Sequence, residues 1–177
     1  MKILVVVDMQ NDFIDGALGT PEARAIVPNV AAKVAEYSNE DCAIVFTRDT
    51  HQTNYLNTNE GKHLPVEHCI YHTHGWEINK DVYTPFYSYI VDKDTFGSVD
   101  LPGAIGRIMR NREEWKLDSI ELCGVCTDIC VISNALILKA EYTETPMFVD
   151  SSCCAGVTPA KHEAALEVMR SCQIDVK

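Results

Sequence analysis

The stretch Glu121–Val131, with the sequence ELCGVCTDICV, joins an apolar run to a helical pattern through a bend at Gly124 and Val125. The run before the bend has the composition of a buried strand. The residues after it include Thr127 and Asp128, which are typical of the start of a helix. This stretch therefore predicts a buried strand that turns directly into a helix.

Strand-like and helix-like segments alternate along the rest of the chain. Short runs rich in Val and Ile predict buried strands at Ile3–Val7, Ala43–Phe46, Ser119–Cys123 and Met147–Val149. Further strands are predicted near Tyr89–Asp92 and at Gln173–Val176. Helical patterns lie between the strands, at Val27–Tyr37, Ala104–Arg112, Asp128–Ala140 and Pro159–Ser171. This order predicts a three-layer, doubly wound α/β fold, with a mostly parallel six-stranded sheet covered by helices on both faces.

Composition narrows the class of protein. The 177 residues suit a single domain spanning positions 1–177. The chain has 15 Lys and Arg against 26 Asp and Glu, a net charge of −11, which disfavours nucleic acid and anionic membranes as partners. The opening run Met1–Asp8 is too short for a signal peptide, and no stretch is apolar enough to span a bilayer. We therefore expect a cytoplasmic protein whose eight cysteines are free thiols.

Cys130 lies in the first turn of the helix predicted after the bend. Backbone N–H groups and the positive end of the helix dipole lower the pKa of a thiol there, and the same N–H groups can form an oxyanion hole. Cys123 and Cys126 with Cys130 are also spaced as core cysteines or as ligands of a structural zinc. The pair Cys153–Cys154 is adjacent and badly placed for tetrahedral ligation, which favours a nucleophile.

Two further regions carry polar side chains. Asp8 ends the first predicted strand, at the sheet edge where open α/β folds bind ligands, although an acid there also caps turns. The long stretch from Asp49 to Tyr87 lacks periodicity, and such loops are functional or disordered. Histidines and carboxylates in it would suit Zn, Fe(II) or Mn as a set, whereas for any single histidine a surface position in a solvated loop is the better interpretation.

Three separated motifs resemble those of the isochorismatase-like cysteine hydrolases, a family that includes the nicotinamidases. They are VVDMQNDF at Val6–Phe13, DKDTFGS at Asp92–Ser98 and GVCTDICV at Gly124–Val131. The motifs occur in the same order as in the family, and the resemblance covers nearly the whole chain. It implies a small-molecule amide as substrate and a homo-oligomer as the assembly.

The resemblance also implies the catalytic groups. Asp8, Lys93 and Cys130 match the family's Asp-Lys-Cys triad. In these roles Lys93 holds Cys130 as a thiolate, and Asp8 takes up the thiol proton and delivers it to departing ammonia. A cis peptide bond is implied between Val125 and Cys126. The backbone amides of Cys126 and Cys130 would then form the oxyanion hole.

A metal site and a substrate follow from the same resemblance. The implied ligands of one divalent ion (Zn, Fe or Mn) are Asp49, His51, Glu60 and His68. In the nicotinamidases such an ion binds the pyridine nitrogen, and Phe13 is the candidate wall for the ring. The implied reaction converts nicotinamide to nicotinate and ammonia through a Cys130 thioester, a step of NAD salvage.

Departures from the family pattern keep alternatives open. Leu64 stands where some nicotinamidases have an aromatic residue, and His63, His72 and His74 are rival metal ligands. Another amidase of the family, acting on an N-carbamoyl compound, a ureide or a small amide, is the first alternative. A zinc-binding or thiol-redox interaction module built on the cysteines around Cys130 is an alternative from a different class.

Overall fold

Six strands form one sheet in this computed structural model, which describes residues 1–38, 41–82 and 84–177. The order across the sheet is β3-β2-β1-β4-β5-β6, and neighbouring strands are parallel. The strands are β1 (Lys2–Val7), β2 (Cys42–Asp49), β3 (Tyr89–Lys93), β4 (Ser119–Val125), β5 (Met147–Ala155) and β6 (Asp175–Val176). The predicted doubly wound α/β fold is confirmed, and the pairing is parallel throughout the described strands.

Helices cover the sheet. They are α1 (Asn11–Ile14), α2 (Pro21–Tyr37), α3 (Asn59–His63), α4 (Leu101–Asn111), α5 (Ile132–Glu141) and α6 (Pro159–Ser171). The long helix α2 packs against β1, β2, β4 and β5. Among the other helices, α4 contacts α5, and α5 contacts α6. Within the described ranges, no helix combines the length and apolar character needed to span a membrane.

Local sequence signals explain where two of these helices begin. Thr20 accepts a hydrogen bond from the backbone N–H of Ala23, and Pro21 occupies the first position of α2. Thr158 and Pro159 repeat this arrangement at the start of α6. The apolar stripe of α2 was visible from Val27 onward, so the predicted helix began too late.

The start of the helix after β4 also differs from the prediction. Thr127–Val131 form one turn of π-helix, in which the N–H of Val131 donates to the carbonyl of Cys126 over 3.1 Å. The regular helix α5 begins afterwards, at Ile132. The wider turn places Cys130 between the strand and the regular helix, a position typical of functional π-turns.

The long segment between β2 and β3 is packed onto the body of the protein at several points. His51 forms an isolated parallel bridge with Ile70, and Ile78 forms an antiparallel bridge with Gln10. Tyr55 and Trp76 are buried within it. The described residues of this segment therefore fit the functional alternative rather than the disordered one.

The strand order determines where polar side chains meet. Strand β1 is flanked by β2 on one side and β4 on the other, so the direction of strand progression reverses beside it. Ligands bind at such a switch point, outside the carboxyl ends of the strands. Asp49 and Lys93 are the last residues of β2 and β3, and Asp8 follows β1 at the same edge.

Candidate active site and metal centre

Lys93 lies at the centre of the predicted triad. Its Nζ atom is 2.7 Å from Asp8 Oδ2 and 3.7 Å from Cys130 Sγ. All three side chains are buried, and Asp8 has no exposed surface. The structure thus brings together three residues that come from the ends of β1 and β3 and from the π-turn after β4.

Burial and the neighbouring charges together determine the pKa values in this group. Burial raises the pKa of the Asp8 carboxyl above its ordinary value, although Lys93 acts in the opposite sense. Burial lowers the pKa of the Lys93 ammonium, but the carboxylate of Asp8, with Cys130 beside it, outweighs this and raises that pKa. Lys93 is therefore a fixed positive charge, and Asp8 is a carboxyl suited to accept and return a proton.

The Cys130 thiol differs from the expectation drawn from its helix position. Burial raises its pKa well above the ordinary value; Asp8 acts in the same direction, and Lys93 opposes them. The helix start was expected to lower this pKa, but Cys130 is buried, and desolvation of the thiolate acts in the opposite direction. Burial therefore favours the thiol form of Cys130, and the neighbouring Lys93 ammonium favours the thiolate.

The bend between strand and π-turn has an unusual backbone. The peptide bond between Val125 and Cys126 is cis, as the resemblance implied. Gly124 has a φ of 117°, and a Cβ at this position would collide with the carbonyl of Val7 on β1. Only glycine fits this close approach of two strands. The bend therefore presents Cys126 and the following turn toward the carboxyl edge of the sheet.

Sequence reasoning missed two residues that contact the site, one at the triad residue Asp8 and one at the candidate metal ligand Asp49. Thr47 on β2 donates its hydroxyl hydrogen to Asp8 Oδ1 over 2.6 Å. The Gln10 side chain donates to the carbonyl of Asp49 over 2.8 Å and accepts from its N–H over 2.7 Å. A threonine within an apolar strand has no distinguishing signal, whereas Gln10 lies within the quoted VVDMQNDF motif.

The four predicted metal ligands converge beside the triad. Asp49, His51, Glu60 and His68 each offer one ligand atom, and these atoms all lie within 4.8 Å of one another. His51 Nε2 is 2.9 Å from Asp49 Oδ2 and 3.6 Å from Glu60 Oε1. Ligands of a tetrahedral ion with bonds near 2.1 Å lie about 3.4 Å apart, so this spacing suits a small divalent ion.

Two features of the histidines support metal binding. His51 Nε2 is buried and has no well-directed hydrogen bond among the described residues, although carboxylate oxygens surround it. His68 shares a hydrogen bond between its Nδ1 and the carbonyl of Val66 over 2.8 Å, which leaves Nε2 facing the cluster. Such orientation through the second ring nitrogen is typical of metal-bound histidine. The donor set therefore fits a divalent metal ion.

Asp49 connects the metal cluster with the triad. Its Oδ2 faces the histidines, whereas its Oδ1 lies 3.3 Å from Lys93 Nζ. Burial opposes its ionisation, but His51, His68 and Lys93 outweigh that effect and lower the pKa of Asp49 below its usual range. An ionised Asp49 can therefore serve a metal on one side and hold Lys93 on the other.

The rival ligands lie elsewhere. His74 is 85% exposed beside Glu77, His72 stacks on Tyr71, and His63 bonds the carbonyl of Asn59 at the end of α3. Across the part of the chain that is described, the one group of three or more suitable side chains that could hold a metal contains no cysteine. The structure therefore gives no support to a structural zinc at the cysteines around Cys130.

An aromatic wall and an open cavity adjoin the cluster. The Phe13 ring meets the His68 ring edge to face at 5.6 Å, and the buried Tyr55 ring lies 4.6 Å from His51. Tyr55 is a further residue that sequence reasoning missed. A cavity of about 930 Å³ extends outward from the cluster, and its lining includes Ile129 and Leu64.

Comparisons with known proteins give the class of this chain. Residues 2–176 match the isochorismatase domain. The chain is 28% identical to the nicotinamidase/pyrazinamidase of Mycobacterium tuberculosis, over 99% of this chain and 98% of the relative. It superposes on the pyrazinamidase of Pyrococcus horikoshii in complex with zinc with a TM-score of 0.81 and 29% identity, over 99% of this chain and 98% of that chain.

A more distant neighbour shows the fold alone. The N-carbamoylsarcosine amidase of Thermoplasma acidophilum superposes with a TM-score of 0.78 and 23% identity, over 99% of this chain and 95% of that chain. The domain match is the decisive comparison, since it spans nearly every residue. This chain belongs to the isochorismatase family. It is an amidohydrolase of that family, a hydrolase of amide C–N bonds.

Proposed function

We propose that this protein hydrolyses nicotinamide to nicotinate and ammonia through a thioester on Cys130. The observation that carries the proposal is the sharing of Asp49 between the metal cluster and Lys93. A metal held by this cluster would lie next to Cys130, so a ring nitrogen bound to the metal would bring the ring's carboxamide toward the proposed nucleophile. Relatives named for nicotinamidase activity support the same substrate.

The substrate would be oriented from two sides. Asp49, His51, Glu60 and His68 would hold the divalent ion, which supplies a Lewis acid for the pyridine nitrogen. Phe13, packed against His68, would form one wall for the flat ring. Fixing the ring in this way brings the carboxamide carbon to Cys130 and lowers the entropic cost of reaction.

The acylation step uses the triad as proton carrier and nucleophile. Asp8 takes the proton from the Cys130 thiol, and the positive charge of Lys93 stabilises the thiolate that forms. The thiolate adds to the carboxamide carbon, and backbone N–H groups at Cys126 and Cys130 receive the oxyanion. The C–N bond then breaks as Asp8 returns the proton, and ammonia leaves.

Hydrolysis of the thioester completes the cycle. Asp8, now ionised again, removes a proton from a water molecule, which attacks the thioester carbonyl. The C–S bond breaks, the sulfur recovers a proton from Asp8, and nicotinate is released. Each turnover consumes one water molecule and returns Cys130 and Asp8 to their starting protonation states.

The test measures ammonia released from nicotinamide by enzyme loaded with zinc, iron or manganese, with and without a chelator. We expect metal-dependent release and, after rapid acid quenching, a nicotinoyl adduct located on Cys130 by mass spectrometry. Cys130→Ala should abolish both signals, whereas Cys172→Ala, at a half-buried cysteine outside the site, should retain them. Absence of ammonia with every metal would refute nicotinamide as the substrate.

A second candidate substrate class follows from the cavity. Its volume of about 930 Å³ and the aliphatic Leu64 in its lining leave room for an amide other than a flat ring. A ureide or N-carbamoyl compound would need no ring nitrogen at the metal. Chelator-insensitive ammonia release from such a compound, without turnover of nicotinamide, would identify this alternative.

A further inference from the structure

The turn that carries the nucleophile is tied to a neighbouring connection by two side-chain hydrogen bonds. Thr127 Oγ1 and His162 Nδ1, on α6, are 2.8 Å apart and share one of them. The N–H of Val157, in the connection between β5 and α6, donates to Asp128 Oδ1 over 2.8 Å in the other. Consecutive residues of the π-turn are therefore fixed to the same adjacent segment.

This junction is densely packed. Thr127 has no exposed surface, and α6 rests against the π-turn. At Gly156, a Cβ would lie 2.8 Å from Asp128 Oδ1 and 2.9 Å from the Cβ of His162. Such distances leave no room for a side chain at this position. The turn and the start of α6 are therefore in close contact at this point.

Thr127 lies in the same short backbone segment as the two residues proposed to bind the oxyanion. Thr127 directly follows Cys126, and Cys130 belongs to the same π-turn. The N–H groups assigned to the oxyanion are part of this short backbone segment, so a shift of the turn displaces them. Oxyanion stabilisation depends on fixed donors at hydrogen-bond distance from the developing charge. A constraint on Thr127 is therefore a constraint on those donors.

We propose that His162 is a positioning residue which, through the Thr127 hydroxyl, holds the oxyanion-binding backbone of Cys126 and Cys130 in place. The inference rests on the proposed amide hydrolysis by Cys130. His162 lies on α6, behind the turn, and acts on the reaction through Thr127 rather than by touching substrate. Its loss should weaken binding of the oxyanion more than binding of the neutral amide.

The first experiment compares two substitutions at the histidine, using the amide that the wild-type enzyme turns over. His162→Ala should lower kcat about tenfold or more, with KM changed less than about twofold, because a small displacement of catalytic groups has a large effect on rate. His162→Asn should restore much of kcat, since its amide nitrogen can occupy the place of Nδ1. Glu163→Ala, at the exposed next residue of α6, is the matched control and should resemble wild type.

The second experiment approaches the bond from the other side. Thr127→Val removes the hydroxyl with little change in volume and should lower kcat as His162→Ala does, whereas Thr127→Ser should retain activity. The losses in the double variant should not add, because both changes remove one interaction. If His162→Ala fails to fold, the comparison of Thr127→Val with Thr127→Ser, together with His162→Asn, still tests whether the hydrogen bond affects kcat.

Alkylation of Cys130 by iodoacetamide separates positioning of the oxyanion donors from damage to the nucleophile. This displacement reaction forms no oxyanion, so the Cys130 alkylation rate in Thr127→Val should stay within about twofold of wild type while kcat falls. Unchanged kcat in both Thr127→Val and His162→Ala, additive losses, or an equal fall in alkylation would overturn the inference. Wild-type enzyme inactive on every amide would instead refute the proposed function.

Discussion

Single residues in this site carry two tasks at once, and Asp49 is the clearest case. One carboxylate oxygen faces the histidines of the cluster, and the other lies 3.3 Å from Lys93 Nζ. Lys93 in turn pairs with Asp8 over 2.7 Å. The candidate metal cluster is therefore linked through one lysine to Asp8, the proposed proton carrier. Substitutions at these positions should affect metal content and turnover differently.

Asp8 should be needed for turnover but not for metal binding. Asp8→Asn keeps the shape of the side chain and removes the group that carries the proton, so kcat should fall by about 10²- to 10⁴-fold. Metal content, measured by elemental analysis after dialysis, should remain that of wild type. Asp15→Asn, at an exposed carboxylate, provides the control. A kcat near wild type in Asp8→Asn would contradict the assigned role.

His51 should be needed for metal binding. Its Nε2 is a buried atom without a well-directed hydrogen bond in the described part of the chain, and a metal would supply the missing partner. We expect His51→Ala to lower affinity for zinc by about tenfold or more, measured by competition with a chromogenic chelator. His74→Ala removes an 85% exposed histidine outside the cluster and should bind zinc as wild type does. Equal zinc affinity in both variants would exclude His51 as a ligand.

Strand β4 shows how one element can place charge inside an apolar layer. Glu121 is 2% exposed, and Lys33 on α2 lies 2.8 Å from its Oε1. Tyr37 donates to its Oε2 over 2.9 Å, and Lys177 lies 2.8 Å from the same atom. Burial opposes ionisation, but Lys177, Lys33 and Tyr37 outweigh it, so the pKa of Glu121 is lowered. The network joins β4, α2 and the residue after β6.

Glu121→Gln should destabilise the fold without altering the active site. We expect the free energy of unfolding at pH 7, measured in urea, to fall by about 2 kcal/mol, the scale of a hydrogen bond to a charged group. Since the folded protein lowers the pKa of Glu121, its contribution is present above the unfolded pKa of about 4.3 and is lost as pH falls below it. The free energies of unfolding of wild type and Glu121→Gln should therefore become equal as the pH falls into the acid range.

The control for this experiment is Glu167→Gln, which removes a surface ion pair with Arg170 on α6. Exposed pairs contribute little, so its unfolding free energy should stay within about 0.5 kcal/mol of wild type. If Glu121→Gln shows the same small effect, or if its difference from wild type persists in acid, the ionised Glu121 network is not a source of stability.

On the scale of the whole molecule, the metal cluster joins the sheet to the long connection between β2 and β3. Asp49 is the last residue of β2 and His51 follows it, whereas Glu60 lies in α3 and His68 lies beyond that helix. A bound ion would therefore cross-link a segment that is otherwise held by packing and a few bridges. Metal binding should stabilise this segment more than the central strands.

Hydrogen exchange provides the measurement. Zinc at a hundredfold excess over its dissociation constant should raise the unfolding free energy by about 2.7 kcal/mol. Under native conditions, amide exchange in the region from His51 to Ile70 should slow on adding zinc, while β4 should change less. The same titration with the His51→Ala variant serves as the control. Uniform slowing across the chain, or none, would argue against a cross-link at this position.

The alternation of strands and helices was accessible from the sequence because it is encoded locally. The predicted strands correspond to all six observed strands, although β5 continues beyond its predicted end at Val149 to Ala155. Thr-Pro pairs account for the starts of α2 and α6. The sequence predicts ordinary helix for the π-turn at Thr127–Val131, since a π-helical hydrogen bond spans only one residue more than an α-helical one. The triad and metal residues came from motif resemblance, and the structure places them together.

What the sequence determined by itself was the class of fold and the groups available for chemistry: a buried nucleophile candidate after β4, an acid after β1 and a mixed set of histidines and carboxylates after β2. What the tertiary structure decided was how these groups act on one another. Three contacts depend on strand order and helix packing: the hydrogen bond from Thr47 to Asp8, the approach of Asp49 to Lys93 beside the candidate metal ligands, and the hydrogen bond between His162 and Thr127. Contacts between residues far apart in the chain leave no local periodic pattern, and desolvation, which raises the pKa of Cys130, exists only once the chain has folded.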